Sequence, residues 1–253
     1  MSPRQRTLQS SFVLEGVGLH SGQAVACSVL PAPVGHGIRF QRIDKPASGL
    51  ILAHWRNVVD SRLSTTLEAE GSRVATVEHL LSALWGMGID NALVQLDQPE
   101  TPVIDGSARP WVDAIERVGS MEQGADAGVV RVERLQEYKN GPRRFRVAPG
   151  RGLRLEVEVD FPHPAIGVER FELLLDPSAF RREVAWARTF AFEKDLTTLQ
   201  DQGLALGGSL DNALLFGAED VINPCGVRGE GEVVRHKTLD LIGDLALCGA
   251  RLE

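Results

Sequence analysis

Only three of the 253 residues are cysteine: Cys27, Cys225 and Cys248. Their odd number and wide spacing suit a reducing compartment better than a disulfide framework. No apolar run reaches the roughly 20 residues that a transmembrane helix needs. The N-terminal stretch MSPRQR is not followed by the apolar core of a secretory signal. Together these absences point to the cytoplasm. A basic excess is missing too: Lys and Arg number 27 against 34 Asp and Glu, for a net charge of −7. The electrostatic footprint of a nucleic-acid binder is therefore lacking, and no such partner is expected. The pairs Arg143/Arg144 and Arg181/Arg182 are short and read as solvated surface. What remains is an ordinary globular composition, 43% hydrophobic and 24% charged, with enough chain for one large domain or two small ones.

The chemistry concentrates at 235–245. Read as a helix, this stretch sets His236 and Asp240 four residues apart on one face. Asp244 extends that stripe by a turn and Lys237 flanks it, while Leu239, Leu241, Ile242 and Leu245 fall on the other sides. An imidazole, two carboxylates and an ammonium along one edge of a buried helix are costly without partners. A divalent cation at the His236/Asp240 pair would meet much of that cost. A catalytic zinc usually takes a third protein ligand and keeps one position open. Among the six histidines His79 fits best, on a second amphipathic helix at 76–86 where Ser82, Ala83 and Gly86 leave room beside it. Glu78 is its neighbour, and a carboxylate there can take a proton from water as a general base. Spacing alone leaves plainer readings open: His79 as a hydrogen-bonded histidine, and His236/Asp240 as an ordinary exposed helix pair.

Along the chain, 12–14, 25–30 and 37–40 read as strands and 50–67 as more strand material. The helix at 76–86 ends at Gly86 and Gly88. A strand at 91–96, a turn-rich loop at 99–106 and a helix capped by Ser107 follow. Residues 119–128 hold three glycines and no strong periodicity, so they read as a linker. Strands alternate again at 129–132, 145–147, 153–159 and 171–175. A short helix at 194–202, a small-residue loop at 203–209, a strand at 212–216 and the helix at 232–248 complete the order. The chain thus divides into an α+β unit at 1–120, a linker at 121–128 and a second α+β unit at 129–253. At 16–22 three glycines surround His20. A glycine-bent loop and a backbone that must approach a ligand are both open there. His163, between Pro162 and Pro164, reads as structural, and Gly207-Gly208 is a phosphate-loop signal without its lysine. If the two halves are alike, the second lacks a final strand and helix, which leaves a sheet edge and a helix face uncovered.

Read together, the motifs resemble those of the UDP-3-O-acyl-N-acetylglucosamine deacetylases, the zinc amidases of lipid A synthesis in Gram-negative bacteria. The matching pieces are GVGLHSG at 16–22, TVEHL at 76–80, GIDN at 88–91, PVIDGS at 102–107, FPHPAI at 161–166, ARTF at 187–190, GGS at 207–209 and the stretch from His236 to Asp244. They follow the family order over nearly the whole chain. The resemblance implies two similar α+β domains, with sheets outside, helices layered between them and the active site at the domain interface. It implies Zn2+ held by His79, His236 and Asp240, with Glu78 as general base and Thr189 as hydrogen-bond donor to the oxyanion. Lys237 would assist substrate binding and charge stabilisation, and Asp244 would orient a later catalytic histidine. An insert at about 191–212 would form the acyl passage, with Leu63, Phe190 and Gly208 at the substrate pocket. Ala205 stands where some relatives have cysteine, a neutral difference. The implied substrate is the nucleotide-sugar lipid UDP-3-O-acyl-N-acetylglucosamine, and a monomer is expected of the complete chain.

One departure matters. The family's further Gly-His motif, followed by asparagine, falls after the last residue of this sequence, Glu253. Its histidine partners the oxyanion and protonates the leaving amine. The expectation is a chain that binds zinc but is weakly active or inactive, because losing one electrostatic donor costs on the order of a hundredfold or more in rate. The alternative is a truncated, non-catalytic fragment or pseudoenzyme that keeps metal or nucleotide-sugar binding.

Overall fold

Val25, Cys27 and Val29 alternate with less buried neighbours, the period-two pattern of a strand with one covered face. In the computed structural model, which describes residues 3–253, they lie on the strand Ala24–Pro31. Met1 and Ser2, where the N-terminal reading begins, lie outside the described residues. Ala24–Pro31 is the second strand of a five-stranded sheet, ordered Phe12–Val17, Ala24–Pro31, Ala92–Leu96, Ile38–Arg42, Ile51–Leu52. Neighbours run antiparallel except Ala92–Leu96 with Ile38–Arg42. One hydrophobic cluster joins Val25, Val29 and Val94 of this sheet to Leu80 and Leu84 of helix α1 (Glu78–Gly86) and to Trp111 and Ile115 of helix α2 (Arg109–Val118).

Helix α1 is buried almost all round, with Glu78, His79 and Ser82 inside as well as Leu80, Leu81 and Leu84. The sequence suggested one buried face; the second is covered by tertiary packing that period counting cannot see. The helix ends as its glycines require. Gly88 has φ 74, its N–H donates to the Trp85 carbonyl at 2.9 Å, and the Ile89 N–H donates to the Leu84 carbonyl at 2.8 Å.

Three more helices follow: α3 (Pro177–Glu183), α4 (Glu193–Asp201) and α5 (Glu232–Ala246). Helix α5 lies directly on α1. A Cβ at Gly243 would fall 2.1 Å from the Glu78 carbonyl oxygen, so the two backbones meet there with no side chain between them. The far side of α5 packs on the antiparallel hairpin Arg154–Phe161/Gly167–Leu174, whose Leu155 and Leu173 point into the same cluster as Leu239 and Ile242. The two central helices therefore lie between a five-stranded sheet and a hairpin, an α+β arrangement. Among the described residues no helix is long and apolar enough to cross a membrane.

Several elements differ from the sequence reading: Ser72–Val74, Gln136–Asn140 and Arg251–Leu252 are strands it did not include, and two further differences have a clear physical reason. Residues 119–128, expected as a linker, carry the strand Ser120–Asp126, paired antiparallel with Arg4–Leu8. Its side chains are mostly polar, so no apolar alternation marks it. Distant partners hold it: Glu122 pairs with Arg6 at 3.3 Å, and Gln123 donates to the Ala32 carbonyl at 2.9 Å. Helix α3 was not expected, although its start carries a local signal. Asp176 Oδ1 accepts the Ala179 N–H at 2.9 Å, and Pro177 occupies the first helical position.

Candidate metal centre

Helices α1 and α5 each present part of one cluster. The His79 and His236 rings stand edge to face, centroids 5.0 Å apart. Asp240 Oδ1 lies 3.6 Å from His79 Nε2 and 3.3 Å from His236 Nε2. One ligand atom from each of the three lies within 4.8 Å of the other two, a grouping that could hold a metal ion.

The protonation pattern tests whether a cation fits. His236 Nδ1 is 3.0 Å from the Ala187 carbonyl oxygen. A carbonyl only accepts, so the proton resides on Nδ1, and in the neutral ring Nε2 is a bare lone pair. Burial keeps the rings neutral: it lowers His236, and it lowers His79 to about 3, with the facing His236 adding to the effect. The Nε2 lone pair of His236 therefore faces Asp240 Oδ1, a buried oxygen with no hydrogen-bond partner. Acceptor against acceptor in a buried place is unfavourable without a cation between them. Zinc bonds of about 2.0–2.1 Å at tetrahedral angles separate two ligands by about 3.3–3.4 Å. The observed 3.3 and 3.6 Å suit such an ion. Burial alone would raise the Asp240 carboxyl. The positive groups facing it, His236 when its ring is protonated and the Lys237 ammonium, outweigh burial and hold it well below the usual carboxylate range. Lys237 Nζ donates to Asp240 Oδ2 at 2.7 Å.

Glu78, the first residue of α1, is buried beside this cluster. Its Oε2 accepts the Thr65 N–H at 2.9 Å, and Thr65 Oγ1 donates to Asp244 Oδ1 at 2.7 Å. Burial, reinforced by the nearby Asp240 charge, pushes Glu78 up to about 8, and burial raises Asp244 as well. A carboxyl tuned near neutrality can both take and return a proton. Thr65 was missed in the sequence, where nothing local distinguishes it from its neighbours.

The other candidates lie at varied distances from this group. The Phe190 ring centroid is 6.3 Å from that of His236, and Lys237 Nζ is 5.3 Å from the centre of the Phe190 ring. Thr189 precedes Phe190 on the segment whose Ala187 carbonyl meets His236, and its N–H donates to the Gly106 carbonyl at 2.8 Å. Leu63, two positions before Thr65, is 61% exposed and has φ 64. Gly208 belongs to a separate loop, against Ala205 and Leu19. His163, read as structural, has Nε2 2.9 Å from the Gly217 carbonyl oxygen and packs on Phe192 and Phe216. The glycines around His20 accommodate the chain itself. The buried Glu100 accepts the His20 and Ser21 N–H groups and the Thr76 hydroxyl, each at 2.8 Å. A Cβ at Gly18 would stand 2.3 Å from a Glu100 carboxylate oxygen. Glu100 was also missed in the sequence; it ties the loop at 16–22 to the residue at φ 57, Thr76, just ahead of α1.

Fold and site together define a class: an α+β protein whose two central helices bring two histidines and an aspartate into one candidate divalent-metal site, with a buried carboxyl beside it. The relatives narrow that class. Residues 5–253 match the family described as UDP-3-O-acyl N-acetylglycosamine deacetylase. The chain is 45% identical, over 98% of its length, to the UDP-3-O-acyl-N-acetylglucosamine deacetylase of Myxococcus xanthus (strain DK1622), of which it covers 79%. It is 44% identical to the deacetylase of the same name from Anaeromyxobacter sp. (strain Fw109-5), covering 97% of this chain and 80% of that one. The figures for Thioalkalivibrio sulfidiphilus (strain HL-EbGR7) are 44%, 98% and 83%. The chain belongs to the UDP-3-O-acyl N-acetylglycosamine deacetylase family.

Proposed function

We propose that this chain is a zinc-dependent deacetylase that hydrolyses the N-acetyl group of UDP-3-O-acyl-N-acetylglucosamine in lipid A biosynthesis. The observation that carries this reading is the unpartnered Asp240 Oδ1 facing the Nε2 atoms of His79 and His236. Two imidazoles and one carboxylate are a donor set that suits zinc, and His79, His236 and Asp240 are its ligands in this reading. Bound there, zinc supplies Lewis acidity toward the amide carbonyl and lowers the pKa of water towards neutrality.

The chain's own groups do the rest. Glu78, buried beside the cluster, takes the proton of the attacking water and returns it to the departing amine. Thr189 donates its hydroxyl to the charge that develops on the acetamide oxygen. Lys237 keeps Asp240 ionised through its 2.7 Å hydrogen bond and adds positive charge beside the reacting amide. Asp244, which accepts the Thr65 hydroxyl at 2.7 Å, is the acid that would orient a catalytic histidine. Leu63, Phe190 and Gly208 contact the nucleotide-sugar lipid, and the insert containing α4 guides its acyl chain. Residues 1–120 and 129–253 act as two units meeting at α1 and α5. A site built wholly within one chain favours a working monomer, and three free thiols, two of them exposed, suit the cytoplasm.

The test is acetate release from UDP-3-O-acyl-N-acetylglucosamine under single-turnover conditions, with protein in excess of substrate so that slow chemistry still registers. Release should occur with zinc, stop with a chelator, resume when zinc is restored, and fall sharply in Glu78→Gln. No acetate above the chelated control would contradict the proposal.

A further inference from the structure

Arg188 and Glu232 form an ion pair with both partners buried, at 5% and 1% exposure. The proposed chemistry gives neither residue a task. Arg188 Nε is 2.8 Å from Glu232 Oε1 and Nη2 is 3.1 Å from Oε2, a two-pronged contact. Glu232 Oε1 also accepts the Arg188 N–H at 3.0 Å, and Oε2 accepts the Arg228 N–H at 2.5 Å. Arg188 Nη2 adds a bond to the Gly226 carbonyl at 2.9 Å. Charges taken out of water are a net cost unless such saturation compensates, so the location of this pair calls for a reason.

Its place in the chain supplies one. Glu232 opens α5, one turn before His236 and on the same side of the helix. Arg188 directly follows Ala187, whose carbonyl oxygen accepts from His236 Nδ1 at 3.0 Å. The pair thus fastens the Ala187 peptide to the first turn of the helix that carries the imidazole. A displacement of residue 188 relative to α5 moves the carbonyl that fixes which nitrogen of His236 is bare and where it points.

We propose that Arg188 and Glu232 are positioning residues for His236: through the Ala187 carbonyl they set its tautomer and aim, and with them the affinity and geometry of the metal site. The proposal rests on the reading of His79, His236 and Asp240 as metal ligands. Outer groups of this kind are worth about 10–100-fold in metal affinity.

Arg188→Lys and Glu232→Gln keep the volume and weaken the fork. Each variant is compared with the unsubstituted protein in three ways: near-ultraviolet circular dichroism without metal, zinc Kd by competition with a chromophoric chelator, and the visible spectrum of the cobalt(II)-substituted protein. Glu183→Gln is the control, because Glu183 pairs with Arg235 at 2.9 Å, next to His236 in sequence but without contact to the Ala187 carbonyl. The expected result is a retained fold, a zinc Kd raised 10–100-fold and altered cobalt bands in the two test variants, with the control unchanged. Unchanged Kd and cobalt spectrum in the folded test variants would overturn the proposal, as would equal shifts in the control. Failure of both test variants to fold without metal would also overturn it, since the pair would then serve the fold. If the unsubstituted protein takes up neither zinc nor cobalt, the site reading itself fails.

Discussion

Glu78 and the two imidazoles pull the pH response of the metal-free protein in opposite directions. Burial lowers His79 and His236 from 6.5, so below that pH the unfolded chain takes up protons that the folded one refuses. The stability these rings leave intact above pH 6.5 is lost progressively as pH falls. Glu78 acts in the reverse sense. Between its ordinary 4.5 and its raised value of about 8, the folded protein keeps a proton that the unfolded chain has released, so stability declines as pH rises through that window. Asp244, also raised by burial, acts in the same sense as Glu78. With chelator present, the thermal midpoint should therefore peak near pH 6.5 and fall on both sides. Glu78→Gln should flatten the alkaline fall and steepen the acid one above pH 4.5, where the carboxyl no longer opposes the imidazoles. A midpoint that stays level from pH 6.5 to 8 in the unsubstituted protein would contradict the assigned environment of Glu78. In kinetics, Glu78→Gln should lower kcat by about 10²–10⁴, the usual contribution of a general base, while zinc Kd changes less than threefold or so.

At the scale of elements, the site depends on the closeness of α1 and α5. Gly243→Ala inserts a methyl 2.1 Å from the Glu78 carbonyl oxygen and 2.9 Å from its Cα, where backbone cannot give way cheaply. The helices must part, carrying His236 and Asp240 away from His79. The expected outcome is a loss of about 1–3 kcal/mol in urea unfolding, together with a weakened zinc Kd. Gly88→Ala is the contrast: at φ 74 with nothing within 4 Å, it should cost about 1–2 kcal/mol through backbone strain and leave zinc binding alone. Equal zinc affinity in both variants would argue against the close helix contact as the organiser of the site.

These two helices were legible in the sequence because their signals are local: apolar spacing, terminal glycines, and acids and imidazoles at helical intervals. The strand Ser120–Asp126 was not, because its polar side chains find their partners on Arg6, Ala32 and Asn91. The same reason hid Thr65, Glu100 and the Arg188–Glu232 pair. Each is an ordinary residue whose importance comes from a contact far along the chain. Asp176-Pro177 is the exception, a local helix start that was present and went unread.

For the whole molecule, the metal reading links binding to folding. The proposed ligands are residues 79, 236 and 240, which the unfolded chain does not hold together, and an ion that binds only the folded state stabilises it by mass action. Zinc at a thousand times its Kd should contribute about 4 kcal/mol. For a chain of this size that corresponds to a rise in thermal midpoint of about 8–16 °C. His79→Ala should lose most of that rise, and scanning calorimetry with and without zinc checks both statements. Motif order along the chain pointed to the family, and the matching relatives agree across 97–98% of its length. Atomic placement was beyond it: that His236 Nε2 faces a bare carboxylate oxygen follows only once the Ala187 carbonyl is seen to hold the other nitrogen.

The central claim is that one divalent ion joins α1 to α5. Anomalous diffraction at the zinc absorption edge, from crystals of the zinc-loaded protein, tests it directly. The account predicts a single strong peak bonded to His79 Nε2, His236 Nε2 and Asp240 Oδ1 at about 2.0–2.2 Å. No peak between the two helices, or zinc bound only by other side chains, would contradict it.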